Sequence, residues 1–332
     1  MALRISYSGR SDIGLVRSGN EDSFRVDPDS NLFLVCDGMG GHQAGEVASR
    51  DACEIISYCF TELASDISKN PSLHLEAPLS ERGALLVKAI RLANRSIYLR
   101  SRSRSDLAGM GTTVVALAVD ERIVNIAHVG DSRAYRLLPT GLVPLTTDHS
   151  WVAELKQSGQ FSESEAEKII GKNVITRALG VNERVEIDYR ADLLAAGETY
   201  ILCTDGLCGY AGDDEIFAAV KDCRDEIDSI VNNLIQLAND RGGQDNVSVV
   251  AVRIDEISEG APGEKMGPVT VAVESDETLL KENQILEALS AMAERSEERD
   301  SGEAKKKSSH LALIFLIFIL VAVVIIYLMT SK

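Results

Sequence analysis

Two absences in the sequence narrow the range of functions at once. The 332 residues show no excess of basic side chains, and their formal net charge is −17, whereas binding to nucleic acid phosphates requires a basic surface. The six cysteines form no Cys-x-x-Cys pair, and none lies at a ligand spacing from a histidine, which argues against a zinc site. We therefore predict no nucleic acid partner, and reduced cysteines that pack as small apolar side chains.

The negative charge is unevenly distributed along the chain. Residues 255–303 hold 14 acidic and 4 basic residues, so the preceding part is only mildly acidic. We interpret residues 1–255 as one folded domain, because their apolar runs are sufficient to bury a large core. We interpret residues 256–304 as an acidic linker with a short stalk helix at residues 278–299.

A long apolar run near the end of the sequence predicts a membrane anchor. Nineteen uncharged, mostly apolar residues extend from Leu311 to Met329, which is long enough to cross the hydrocarbon core as a helix. Three lysines at residues 305–307 precede the run, and positive charge favours the cytosolic side of a membrane. We expect residues 305–332 to form a basic juxtamembrane segment and a single-pass plasma membrane anchor, with the folded domain in the cytoplasm.

Within residues 1–255, runs rich in Val, Ile and Thr alternate with longer helical patterns. The predicted strands are 31–36, 112–119, 122–129, 133–138, 199–204 and 246–254. The predicted helices are 44–65, 80–100, 149–158, 213–221 and 225–240. Because short connections join the three strands between residues 112 and 138, we predict hairpins, and hence antiparallel sheet in a layered α+β domain.

Acidic residues stand beside turn residues at the ends of four apolar runs. They are Asp37 in "NLFLVCDGMGG", Asp131 in "NIAHVGDSRAY", Asp205 in "YILCTDGLCGY" and Asp245 in "GGQDNVSVVAVRI". If they converge, their mutual repulsion calls for a cation, and carboxylates suit Mg²⁺ or Mn²⁺. Asp-Gly is also an ordinary turn pair, so from composition alone both interpretations stay open. The first segment lacks the Lys-Ser/Thr of a nucleotide-binding P-loop.

Eight ordered motifs between residues 6 and 254 resemble one family. They are "SDIGLVRSGNEDSF", "LFLVCDGMGGHQAGEVAS", "GMGTTVVAL", "AHVGDSRAYRL", "LTTDHSWVAEL", "NVITRALG", "LCTDGL" and "GGQDNVSVV". The set resembles the metal-dependent protein phosphatases of type 2C, in particular their bacterial branch. The resemblance implies an α-β-β-α sandwich of two mainly antiparallel sheets flanked by helices. It also implies two Mn²⁺ or Mg²⁺ ions in the site.

The resemblance assigns a metal-binding role to five residues. Asp37 would bridge two ions, and the carbonyl of Gly38 would complete the coordination of one of them. Asp205 and Asp245 would bind the second ion. Asp131, together with Asp205, would hold a third, weaker ion.

Four further residues receive roles from the same motifs. Glu21 and Asp22 would orient metal-bound waters, and Arg17 would grip the phosphate through its planar guanidinium. The sequence has Met39 where many eukaryotic members have a histidine that is a candidate general acid. His42, three residues further on, could protonate the leaving group, could bond a neighbouring turn, or could leave the proton transfer to a metal-bound water.

Two further segments of the sequence carry expectations about substrate access and recognition. The resemblance implies that residues 147–182 include the family's mobile flap beside the active site. The segment "RSRSRSD" at residues 100–106 places arginine at every second position. It forms either a solvated surface or a patch that recruits acidic or phosphorylated segments.

The predicted function is direct hydrolysis of phosphoserine or phosphothreonine in protein substrates by a metal-bridging hydroxide. The predicted partners are phosphorylated proteins, a membrane Ser/Thr kinase whose action the enzyme opposes, and the lipid bilayer through the anchor. The catalytic domain is expected to be monomeric. A catalytically weak phosphoprotein-binding scaffold and a phosphatase of anti-sigma-type regulators are the alternatives.

Overall fold

Strands of the described residues form two antiparallel sheets. The computed structural model describes residues 3–40, 44–69, 79–157, 174–257 and 266–271. The strands are β1 Arg4–Asp12, β2 Asp22–Asp27, β3 Leu32–Met39, β4 Gly111–Thr112, β5 Val114–Val119, β6 Ile123–Val129, β7 Arg133–Leu138, β8 Gly141–Pro144, β9 Ile187–Leu193, β10 Thr199–Cys203, β11 Val247–Glu256 and β12 Met266–Val271. One sheet has the order β1-β11-β10-β7-β8, and the other has the order β12-β9-β6-β5-β3-β2 with β4 beside β3.

The central strands are apolar because both of their faces are covered. Every residue of β5 and of β6 is buried. Phe33 and Val115 of one sheet and Leu202 and Val250 of the other belong to one apolar cluster, and all four are 0% exposed. Burial of these side chains between the sheets fixes the two sheets face to face.

Helices cover the outer faces of the two sheets. They are α1 Ala44–Thr61, α2 Ala64–Lys69, α3 Glu81–Ser103, α4 Trp151–Gln157, α5 Asp205–Cys208, α6 Asp213–Val220 and α7 Ile227–Asp240. Helices α1 and α3 pack on the sheet that contains β3, and α7 packs on β1 and β11. Helix α7 buries Ile230, Leu234 and Ala238 at helical spacing. The predicted sandwich of two antiparallel sheets and helices is confirmed.

The predicted hairpin between residues 122–129 and 133–138 is wrong. Strand β6 pairs with β5 and β9, whereas β7 pairs with β10 and β8 in the other sheet. The connecting residues Gly130, Asp131 and Ser132 therefore carry the chain from one sheet to the other. Gly130 has φ +104°, a conformation that favours glycine. This crossing places Asp131 at the same end of the sandwich as the end of β3.

Part of the predicted linker is instead a strand. Residues 266–271 form β12, which pairs antiparallel with β9 and buries Val271 opposite Ile187. The linker interpretation is therefore wrong for these residues, because alternating Val and Thr extend the sheet edge. The predicted stalk helix at residues 278–299 and the predicted span at 311–329 lie outside the described residues. No helix of the described part is long and apolar enough to cross a membrane.

Candidate active site

Most of the predicted site residues line one cavity at the ends of strands from both sheets. The cavity has a volume of about 650 Å³. Its lining includes Arg17, Glu21, Asp37, Gly38, Asp131, Asp205 and Asp245. Asp22 is only 8% exposed and lies behind this lining, opposite Asp37 in the β2–β3 register. His42 lies outside the described residues.

The backbone of Asp37 is held by Thr112, the last residue of β4, and by Thr113, which lies between β4 and β5. The Asp37 N–H donates to Thr113 Oγ1 at 3.0 Å, and the Thr113 N–H donates to the Asp37 carbonyl at 2.8 Å. Thr112 Oγ1 also donates to that carbonyl at 2.9 Å. Thr113 Oγ1 lies 2.7 Å from Ser132 Oγ, beside Asp131. These contacts join the two strand ends that carry Asp37 and Asp131.

Close backbone approach explains the glycine after Asp37. A Cβ on Gly38 would lie 2.1 Å from the carbonyl oxygen of Gly45 and 2.6 Å from that of Glu21. The Gly38 N–H donates to the Glu21 carbonyl at 3.1 Å. A side chain at this position would therefore push apart the strand end, the first turn of α1 and the Glu21 segment.

Asp22 and Asp205 each have a buried carboxylate oxygen that no described residue hydrogen-bonds. Thr204 Oγ1 donates to Asp22 Oδ2 at 2.8 Å, and the Ser248 N–H donates to Thr204 Oγ1 at 2.9 Å. Asp22 Oδ1 and Asp205 Oδ1 have no hydrogen-bond partner within the described part of the chain. Buried carboxylate oxygens that lack a donor call for a cation or for water.

Asp245 and Arg17 lie at the rim of the cavity. Arg17 Nη2 donates to Asp245 Oδ2 at 2.7 Å, and 54% of the Arg17 side chain is exposed. Asn246 fixes the loops around them, because its Nδ2 donates to the carbonyls of Ile13 and Gly19 at 2.9 Å each. Its Oδ1 accepts from the Glu21 N–H at 2.8 Å.

The electrostatics of the aspartates fit a divalent cation. Burial raises the pKa of Asp37 well above its ordinary value, and the charges of Asp22 and Asp205 raise it further. Burial raises the pKa of Asp22 to about 7, although the hydrogen bond from Thr204 opposes the rise. Burial and the nearby charge of Asp205 raise the pKa of Asp131 to about 7. Hard divalent ions accept oxygen ligands and would relieve this repulsion, so the donor set fits Mg²⁺ or Mn²⁺.

A separate cluster of two histidines and an aspartate is an ion-pair network. His149 Nε2 lies 3.3 Å from Asp188 Oδ2, and the rings of His128 and His149 stack at 4.6 Å. Arg177 Nη1 donates to Asp188 Oδ1 at 3.0 Å and lies 3.3 Å from His149 Nε2. The guanidinium therefore sits where a cation would bind. The Gly130 N–H donates to His149 Nδ1 at 3.1 Å, so this network supports the crossing that carries Asp131.

The structure adds three polar residues that received no role from the sequence. Thr113, Thr204 and Asn246 hold Asp37, Asp22 and Glu21 respectively. Each stands within one of the motifs "GMGTTVVAL", "LCTDGL" and "GGQDNVSVV". These residues could have been found from the sequence because each is a polar residue next to a buried apolar strand. A polar side chain in that position requires a buried hydrogen-bond partner.

A two-sheet sandwich with converging aspartates and a rim arginine defines a metal-dependent hydrolase of phosphate esters. The family model described as Protein phosphatase 2C matches residues 16–245. The chain belongs to the protein phosphatase 2C family. The predicted enzyme class, a metal-dependent serine/threonine phosphatase, is thereby confirmed.

Several named bacterial proteins resemble the chain in sequence. "Serine/threonine phosphatase stp" of Listeria monocytogenes is 37% identical over 254 residues, which cover 76% of this chain and 96% of the relative. "Serine/threonine protein phosphatase PstP" of Mycobacterium tuberculosis is 33% identical over 299 residues, which cover 90% of this chain and 54% of the relative. The chain thus spans about half the length of that second relative.

Solved structures agree with the sequence comparisons. The crystal structure of the Mycobacterium tuberculosis phosphatase PstP/Ppp matches with a TM-score of 0.66 and 34% identity, over 76% of this chain and 99% of that chain. A structure of the PstP catalytic domain in complex with 2 manganese ions matches with a TM-score of 0.65 and 34% identity, over 76% of this chain and 100% of that chain. Together with the donor set, the family confirms the predicted Mn²⁺ or Mg²⁺ cofactor.

Proposed function

We propose that this protein is a membrane-anchored protein phosphatase that hydrolyses phosphoserine and phosphothreonine on the cytoplasmic face of the plasma membrane. The observation that carries the catalytic part is the convergence of Asp37, Asp131, Asp205 and Asp245 with Arg17 on one cavity. Two divalent ions held by Asp37, Gly38, Asp205 and Asp245 would supply an activated water and neutralise phosphate charge. Asp131 and Asp205 together offer oxygens for a third ion.

In this proposal Arg17 binds the phosphate of the substrate. Its guanidinium has five N–H donors, and Asp245 fixes one end of the group while more than half of the side chain stays exposed at the cavity rim. The remaining donors can form two parallel bonds to phosphate oxygens. Arg17 therefore orients the ester, and Asp245 orients Arg17.

A covalent phosphocysteine route does not fit the geometry. Cys36 lies next to Asp37, yet it is 0% exposed, and burial raises the pKa of its thiol well above the ordinary value. A neutral buried thiol is a poor nucleophile. The aspartates and Arg17 that line the cavity instead support direct hydrolysis by water.

The catalytic proposal is tested with the full chain in detergent. Wild-type protein should hydrolyse a phosphothreonine peptide only after Mn²⁺ or Mg²⁺ is added, and Asp37→Asn should lower kcat/KM by roughly 100-fold or more, because a bridging carboxylate is lost. Circular dichroism should show that the variant remains folded. Turnover by the wild type in the presence of excess chelator would contradict the proposal.

The proposals of a membrane anchor and of a membrane kinase partner are based on the apolar run at residues 311–329 and the lysines before it. Anchoring enzyme and substrate kinase in one membrane raises their effective concentration. Deletion of residues 308–332 should move the protein from the membrane to the soluble fraction. Val321→Arg with Val323→Arg, which puts two charges into the run at full length, should do the same. Persistent membrane association of both variants would point to another attachment.

A further inference from the structure

A second cavity lies at the C-terminal end of α3, beside the candidate active site. Its volume is about 660 Å³. The lining includes Tyr98, Arg102, Arg104, Val181, Asn182 and Glu183. The lining therefore includes two of the three alternating arginines of "RSRSRSD", Arg102 and Arg104, and the proposed catalysis does not use either of them.

The charges around this cavity leave Arg102 as its available cation. Arg100 bonds to Asp51, and Arg104 Nη2 pairs with Asp106 Oδ2 at 2.7 Å. The charge of Glu183 is neutralised by Arg95. Arg102 is exposed, and no ion pair joins it to another residue of the described ranges. The cavity therefore presents one uncompensated guanidinium.

The Met39 side chain and the backbone of Gly111 lie close to walls of both cavities. Met39 lines the catalytic cavity, and Val181 lines the second cavity. A Cβ on Gly111 would lie 2.8 Å from Met39 Cε and 3.0 Å from Val181 Cγ2, so these two side chains are near neighbours. The residues from Ile175 to Val181 connect the walls of both cavities. A substrate chain that crosses Met39 can therefore reach both.

We propose that the Arg102 cavity is a recognition subsite for a second anionic group, a carboxylate or a phosphate, on the same substrate polypeptide. The inference rests on the proposed phosphatase function and specifies its substrate class. Because the two cavities are neighbours and an extended peptide advances about 3.3 Å per residue, the anionic residue lies within a few positions of the phosphoresidue that is hydrolysed. A guanidinium forms charge-assisted bonds with either anion, and two parallel bonds where the geometry permits.

The test compares peptides that share one phosphothreonine and differ three positions away, on either side. That position holds alanine, glutamate, or a non-hydrolysable phosphonate analogue of phosphoserine. With the full chain and Mn²⁺, kcat/KM should be about threefold to tenfold higher for the anionic peptides on one side, the range expected for one exposed charge-assisted contact. Arg102→Glu should abolish that preference and leave kcat/KM for the alanine peptide unchanged. Arg25→Glu, at an exposed arginine that lines neither cavity, should preserve the preference.

The outcomes distinguish a carboxylate from a phosphate ligand, and they distinguish failure of the subsite from failure of the phosphatase function. A preference for both anionic peptides assigns the subsite to carboxylates and phosphates alike, and a preference for the phosphonate peptide alone assigns it to phosphate. The subsite is overturned if the wild-type enzyme hydrolyses the three peptides with equal kcat/KM, or if the preference survives Arg102→Glu. In either case, activity on the alanine peptide still supports the phosphatase function. Absence of all hydrolysis would instead refute the proposed function.

Discussion

Asp22 and Asp37 stand directly opposite each other in the antiparallel register of β2 and β3. Two like charges at facing positions of a sheet repel each other. Here both side chains are buried or nearly so, and each has Asp205 as a further acidic neighbour. Such an arrangement persists in a folded protein when cations or protons neutralise the charges.

The Mn²⁺-induced rise in Tm should increase between pH 5 and pH 7. The pKa values of Asp22 and Asp131 are raised from 3.8 to about 7 in the folded protein. The metal-free fold therefore holds protons that the unfolded chain has released, and the stability from these protons is lost as pH rises through 7. Metal replaces them. Thermal scans with Mn²⁺ and with chelator measure the difference.

The difference in Tm between Mn²⁺ and chelator at one pH cancels the contribution of groups that titrate in the same way in both samples. His128, whose pKa burial lowers to about 4, makes the fold more stable as pH rises, but it does so with and without metal. Asp131→Asn should reduce the increase, because one of the shifted carboxyls is gone. A Mn²⁺ effect that is independent of pH would contradict the prediction.

Arg17→Lys should lower kcat/KM by about 10-fold to 100-fold, since a bidentate charge-assisted contact to phosphate becomes a single point contact. Mn²⁺ affinity, measured by isothermal titration, should remain close to that of the wild type. The reason is that Arg17 binds Asp245 from the rim and supplies no oxygen ligand. A parallel loss of Mn²⁺ affinity would assign Arg17 to building the metal site.

Thr113→Val should weaken Mn²⁺ binding by about 10-fold to 100-fold, as expected when a residue that orients a metal ligand is lost. The variant keeps the side-chain shape but leaves the Asp37 N–H without its acceptor. Thr176→Val is the matched control, because Thr176 Oγ1 is buried and has no hydrogen-bond partner among the described residues. Equal Mn²⁺ affinities for the two variants would show that Thr113 does not position Asp37.

Val271→Ala should lower the free energy of unfolding by about 1–2 kcal/mol. Val271 is 4% exposed and pairs with Ile187 at the edge of the sheet. Val269→Ala, two positions away on the same strand and 36% exposed, should change the stability by less than about 0.5 kcal/mol. Denaturant titrations compare the two. Equal effects would mean that β12 adds no buried packing to the domain.

The convergence of the aspartates could be predicted from the sequence because strand ends carry a local signal. Asp37 and Asp205 follow runs of buried apolar residues, and Asp245 precedes one. Asp131 was expected at a hairpin tip, since "GDS" is short enough for one. Its actual position at a crossing between sheets depends on which strands pair, and the three residues of the turn contain no information about that pairing.

Features that depend on distant partners could not be read from the sequence. The strand β12 follows Gly and Pro and carries only three β-branched residues, so its pairing with β9 outweighed its local composition. The network of His128, His149 and Asp188 joins residues that lie far apart in the chain, and no spacing rule detects it. The pairing of Arg100 with Asp51, which singles out Arg102, is of the same kind.

Anomalous diffraction from crystals grown in Mn²⁺ tests the existence of the paired metal site most directly. We predict two manganese peaks in the cavity, both within bonding distance of Asp37 carboxylate oxygens, with Asp205 and Asp245 on the second ion and neither peak present in Asp37→Asn crystals. A crystal grown in excess Mn²⁺ that shows no manganese at Asp37, with the Asp37 carboxylate turned away from Asp205, would contradict the paired metal site.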